Sequence, residues 1–145
     1  MNQLNDSLRI SKTPVVIEHV TIETITPYPV VKQRMQAEVK RLDDSYRQLL
    51  SHNELDAVRK KLEEGAQPNG LMLHYVGTHG DWLALKGGRR NGIAYYVGNV
   101  LFAIQMTSVN FGATLYAPLR FVVSENDEGG STFEYDEPSS QFGHV

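Results

Sequence analysis

The run Leu119-Arg120-Phe121-Val122-Val123-Ser124-Glu125-Asn126-Asp127-Glu128-Gly129-Gly130-Ser131-Thr132-Phe133-Glu134-Tyr135-Asp136 decides the architecture. Two alternating stretches rich in β-branched and aromatic residues flank Asp127-Glu128-Gly129, where Gly129 suits the left-handed position of a three-residue hairpin loop. Pairing Asn126 with Gly130 sets Val123 opposite Phe133, Phe121 opposite Tyr135 and Arg120 opposite Asp136. Side chains alternate along a strand, so the odd-numbered residues form the core face. Arg120, Val122, Glu134 and Asp136 then share the other face. Arg120 and Asp136 become cross-strand neighbours. They suit either a structural ion pair at the sheet end or an arginine anchor for an anionic or carbonyl ligand, its guanidinium plane held by Asp136.

Working outward, Val15 to Thr26 reads as a half-buried strand with Val16, Val20 and Ile22 on one parity. Pro27 and Pro29 stop it, and Pro29 fits the first turn of a helix. Val31, Met35, Val39, Leu42, Tyr46 and Leu49 recur at spacings of three and four, which predicts one amphipathic helix. Ser51 and Glu54 have the form of a capping box opening a second helix over Leu55, Val58 and Leu62. Gly65 ends that helix, and Gln67-Pro68-Asn69-Gly70 turns into a strand over Leu71 to Thr78. Ile93 to Val97 is a further strand, and Val100 to Val109 a helix with Leu101, Ile104 and Met106 inward. Runs of antiparallel strands with helices between them predict an α+β two-layer sandwich. Its sheet has about five strands, with the helices packed on one face. Residues 1–13 read as a flexible tail and 14–145 as a single domain.

Bulk properties exclude several functions. At 145 residues the chain is long enough to bury a core without staples, and 41% hydrophobic with 21% charged residues is ordinary for a globular protein. A net charge of -3 argues against a large nucleic-acid footprint, which would need a basic face. The charges of the predicted helices alternate in sign, as on a solvated face. Zero cysteines exclude disulfides, thiolate nucleophiles and cysteine-held metals. No apolar run reaches bilayer length, and Met1 to Thr13 lacks a signal peptide's apolar stretch. A cytoplasmic protein without membrane partners is the expectation.

Beyond the hairpin, the last third carries Gly98-Asn99, Gln105-Met106, Tyr116-Ala117-Pro118-Leu119-Arg120 and Tyr135-Asp136-Glu137-Pro138-Ser139-Ser140. On these residues the chain resembles the domain-of-unknown-function 302 family, over roughly Val15 to Gly143 and most specifically after Ile93. The resemblance implies a small α+β fold with helices against a curved antiparallel sheet, often as a homodimer. It brings no agreed activity and no catalytic residues, so function must come from the site.

Among chemistry-bearing residues, His74 and His79 are five apart, which is not the i, i+4 spacing of a helical metal face. No metal and no cofactor is expected. His79 before Gly80-Asp81 suits either a general base held by a carboxylate or a plain loop histidine. Lys86-Gly87-Gly88-Arg89-Arg90 lacks nucleotide-loop spacing and reads as a hairpin loop. The favoured function is binding of a small, partly apolar molecule between sheet and helices. Asn99, Gln105, Met106, Tyr116, Arg120 and Asp136 would line its pocket, with His74 and His79 at the rim. The alternative is a cofactor-free isomerase, cyclase, lyase or decarboxylase. In it His79 or Asp136 acts as base while Arg120 or Tyr116 stabilises an enolate-like charge.

Overall fold

The computed structural model describes residues 7–143. In chain order its regular elements are β1 (His19–Thr24), α1 (Tyr28–Glu38), β2 (Lys40–Arg41), α2 (Tyr46–Ser51), α3 (Leu55–Gly65) and β3 (Met72–Gly77). There follow α4 (His79–Trp82), β4 (Gly92–Gly98), α5 (Val100–Thr107), β5 (Leu119–Glu125), β6 (Ser131–Asp136) and α6 (Pro138–Phe142). Two 3-10 turns, Leu83–Lys86 and Phe111–Tyr116, complete the set. The strands form one sheet in the order β1-β6-β5-β4-β3-β2. The α+β class is as expected, but the sheet has six strands rather than about five. The added strand is the two-residue β2, parallel to β3 where the other pairings are antiparallel.

The hairpin takes the expected register, with Val123 opposite Phe133 and Phe121 opposite Tyr135. Asn126 organises its loop. Its amide N–H donates to the Gly130 carbonyl at 3.0 Å, and its Oδ1 accepts from the N–H groups of Glu128 and Gly130. Gly129 has φ +81°, the left-handed conformation that this loop requires. The odd face of β4, β5 and β6 packs under α1. There Tyr95, Val97 and Val123 are buried, together with Tyr28 and Val39, and Phe121 stacks on Phe133 at 5.4 Å.

The single helix predicted through Leu49 is corrected. The backbone leaves the helix at Val39 (φ −119°, ψ 110°), Lys40 and Arg41 pair with Met72 and Leu73, and Leu42 N–H donates to Leu73 O at 2.9 Å. Asp43 Oδ1 then accepts from Ser45 N–H at 2.8 Å, a local turn that competes with continued helix. That bond, seconded by Lys61, holds the Asp43 carboxyl at about 2. The three-and-four spacing survives the break because its two halves serve two cores. Val31, Met35 and Val39 pack on the sheet, whereas Leu42 and Leu49 pack with Val58, Leu62 and Met72. The capping box at Ser51 is corrected too. Ser51 Oγ donates to Gln48 O at the end of α2, and α3 starts at Leu55 without a side-chain cap.

Residues 7–14 are exposed and carry no helix or strand, and residues 1–6 of the expected tail lie outside the described residues. No helix of the described residues is long and apolar enough to cross a membrane.

Candidate functional site

Where β3 and β4 run out towards α5, the two strands fall out of step. Leu73 faces Val97 but Tyr75 faces Tyr96, so His74 is an extra residue, a bulge that re-aims one side chain. His74 lines a cavity of about 360 Å3 bounded by α5, the Phe111–Tyr116 turn, Pro118 and the C-terminal Phe142. The walls are nearly all apolar, with Leu71, Phe102, Ala103, Met106 and Leu119 among them. Burial pushes the His74 imidazole below its ordinary value, opposed by a hydrogen bond with the Gly98 backbone. The neutral ring is therefore the favoured form, able to offer one hydrogen bond to a guest.

Asn99 sits at the head of α5 and its amide is fully engaged. Oδ1 accepts from Leu101 N–H at 2.9 Å and Phe102 N–H at 3.4 Å, capping the helix. Nδ2 donates to Gly70 O at 2.9 Å and ties the helix to the turn before β3. Asn99 thus shapes the cavity more than it greets a ligand. Met106 lines the same space from the last turn of α5. Gln105 does not: its exposed side chain folds back towards Leu101 O at 3.4 Å.

The remaining sequence candidates lie elsewhere. Tyr116 packs edge-on against Phe142, ring centres 5.9 Å apart, and borders a small cleft of about 80 Å3 with Arg120 and Asp136. The expected Arg120–Asp136 ion pair is not formed. Asp136 Oδ1 instead accepts from His19 Nδ1 at 2.7 Å, and His19 Nε2 donates to Glu134 Oε1 at 3.2 Å. These two acids, Asp136 first, raise the His19 pKa, as an imidazolium with both N–H groups engaged requires. Arg120 lies over the Tyr96 ring, 5.9 Å from its centre. His79 sits beyond it on the same sheet face, its ring over Gly77. The eight residues singled out from sequence therefore do not share one pocket. The cavity holds His74, Asn99 and Met106, the cleft holds Tyr116, Arg120 and Asp136, and His79 joins Arg120 in a groove. Among the described residues, no group of three or more His, Cys, Asp or Glu side chains could hold a metal ion.

Two site features escaped the sequence reading. Phe142 closes the cavity from the segment after Pro138, which the sequence reading used for the family resemblance without giving Phe142 a site role. His19 was passed over because its partners are 115 and 117 residues away. Placing β1 beside β6 would have found it, since Val20 opposite Tyr135 forces His19 onto the face of Asp136.

A family model described as "Domain of unknown function DUF302" matches residues 46–145, most of the chain. The chain belongs to the DUF302 family. The match starts after β2, so β1, α1 and β2 precede it, although β1 pairs with β6 inside the same sheet. The crystal structure of an uncharacterized conserved DUF302 protein from Bacillus stearothermophilus is similar at 16% identity. It covers 87% of this chain and 78% of its own, with a TM-score of 0.56, a likeness of fold. No curated protein matches.

Proposed function

We propose that this DUF302 chain binds a small, largely apolar, uncharged molecule in the cavity beside α5. The observation that carries this is the cavity itself, about 360 Å3 of nearly apolar wall with one desolvated imidazole at His74. That volume lies within the range of small-ligand sites, and a few polar groups among apolar walls, His74, Thr107 and Thr114, give orientation without demanding charge. No Lys, Arg, Asp or Glu lines the space, which disfavours ionic guests. Phe102 and Met106 supply contact area, and the second ring nitrogen of His74 accepts from a hydroxyl or N–H of the guest.

The acid–base alternative has less support. Asp136 is committed to His19, and His79 and Asp136 border different depressions. A homodimer in the cytoplasm fits the same reading, and light scattering on the purified chain decides the first of these.

A thermal-shift series with indole, 4-propylphenol and hexanol tests the binding. At 100 times its Kd a ligand stabilises by about 2.7 kcal/mol, a readily measured rise in Tm. Ala103→Trp, on the cavity wall, abolishes the rise while leaving the unliganded Tm near wild type. Equal shifts in both proteins would place the binding elsewhere and sink the proposal.

A further inference from the structure

The even face of β4 and β5 carries a second depression, a groove of about 520 Å3 distinct from the α5 cavity. Its floor is made of small residues, Gly92 and Ala94, and Tyr96 and Val122 rise beside them. His79 and Leu83 border it from the α4 segment. That wall is fixed in place. Gly80 packs so tightly on the Arg90 carbonyl that a Cβ would overlap it, and the His79 ring lies where a Cβ on Gly77 would come within 2.9 Å of Nε2.

The charges of the groove are unevenly spent. Arg90 Nη2 donates to the Glu125 carbonyl at 3.2 Å, and the groove's one acid, Glu134, is taken by His19. The ion pairs among the described residues leave both Arg90 and Arg120 out. Its guanidinium stands over Tyr96, which itself packs edge-on to Tyr75 at 5.3 Å. A planar cation on an aromatic wall thus overlooks a flat floor of small side chains. We infer that the groove binds a flat monoanion, an aromatic carboxylate, with its carboxylate on Arg120 and its ring over Gly92 and Ala94 against Tyr96. A guanidinium offers a carboxylate two parallel hydrogen bonds, and Arg120 is the groove arginine whose guanidinium is not tied to a backbone carbonyl.

Amide-resolved NMR of the whole chain, titrated with benzoate and separately with benzyl alcohol, tests this. Benzoate gives saturable shifts at Gly92, Ala94 and Tyr96, and the alcohol binds at least about tenfold more weakly for want of a charge-assisted bond. Arg120→Gln, at an exposed position, costs benzoate about tenfold, and Ala94→Leu, which fills the floor, does the same. Four results overturn the inference: no saturable shift, equal affinity for the alcohol, unchanged affinity in Arg120→Gln, or shifts confined to the α5 cavity. Groove shifts that follow protein dilution rather than benzoate overturn it as well, and make the groove a contact between copies of the chain.

Discussion

The β3–α5 end of the molecule and the β1–β6 edge are held together by different physics, and each contains one histidine that reports which. At the first, Met72 is 1% exposed beneath Leu62 and Ala66, and His74 faces apolar walls that drive it towards neutrality. At the second, the contacts are polar and solvent-facing. His19 bridges Asp136 and Glu134, Glu137 N–H donates to Glu18 O at 2.8 Å, and Glu18 N–H donates to Ser140 Oγ at 3.1 Å. The Glu137 carboxyl is raised by its hydrogen bond with Glu18, so even two acids are set side by side there. Desolvation rules one end and charge pairing the other. The first forms the apolar walls of the cavity beside α5, while the second fastens an edge strand to the C-terminal segment.

Substitutions at the two ends should therefore differ greatly in cost. Met72→Ala removes a buried side chain shared by α3 and β3 and should destabilise by about 2–5 kcal/mol. His19→Ala, at a solvent-facing pair, should change stability only slightly, far less than Met72→Ala. Urea midpoints at pH 7 measure both. Comparable losses would show that the edge is as integral to the fold as the apolar end.

A smaller effect, about 1–2 kcal/mol, is expected for Asn99→Ala, which removes the α5 cap and leaves the Gly70 carbonyl without its donor. Asn99→Asp separates the two roles, since a carboxylate still caps the helix but cannot donate to Gly70. It should recover most of the loss if capping dominates, and little of it if the tie to Gly70 does. In either case the thermal response to a cavity ligand should weaken together with α5, because that helix forms a wall of the cavity.

The fold was legible wherever local chemistry and periodicity agreed. The Asn126–Gly130 loop fixed the hairpin register, and that register placed every core residue of β5 and β6. Periodicity misled over residues 31–49, because two short helices and a two-residue strand can repeat every three or four residues just as one helix does. Only the long-range pairing of Lys40 with Met72 reveals the break. The site was less legible for the same reason. The reach of His74 into the cavity depends on a bulge, and the release of Arg120 depends on His19, which lies on a strand 101 positions away in sequence, from 19 to 120. Pairing rules predicted the Arg120–Asp136 neighbourhood but could not anticipate a nearer competitor for the acid.

The smallest expected effects are also the most diagnostic, because the two histidines should tilt stability in opposite directions with pH. His74 has a folded pKa below its unfolded value of about 6.5, so the unfolded chain binds the extra proton. Its contribution is intact above that value and is lost as pH falls through the folded pKa. His19 has a raised folded pKa, so its contribution is intact below about 6.5 and is lost as pH rises through the higher folded value. The difference in Tm between wild type and His74→Gln should thus shrink from about pH 8 towards pH 5. The difference between wild type and His19→Gln should shrink over the same interval run in the opposite direction. Both changes are modest, since His19 faces solvent and His74 is only half-buried. Parallel slopes would mean that one electrostatic environment governs both ends. Crossed slopes would mark the β3–α5 end as the part of the molecule able to hold a neutral guest against a neutral imidazole.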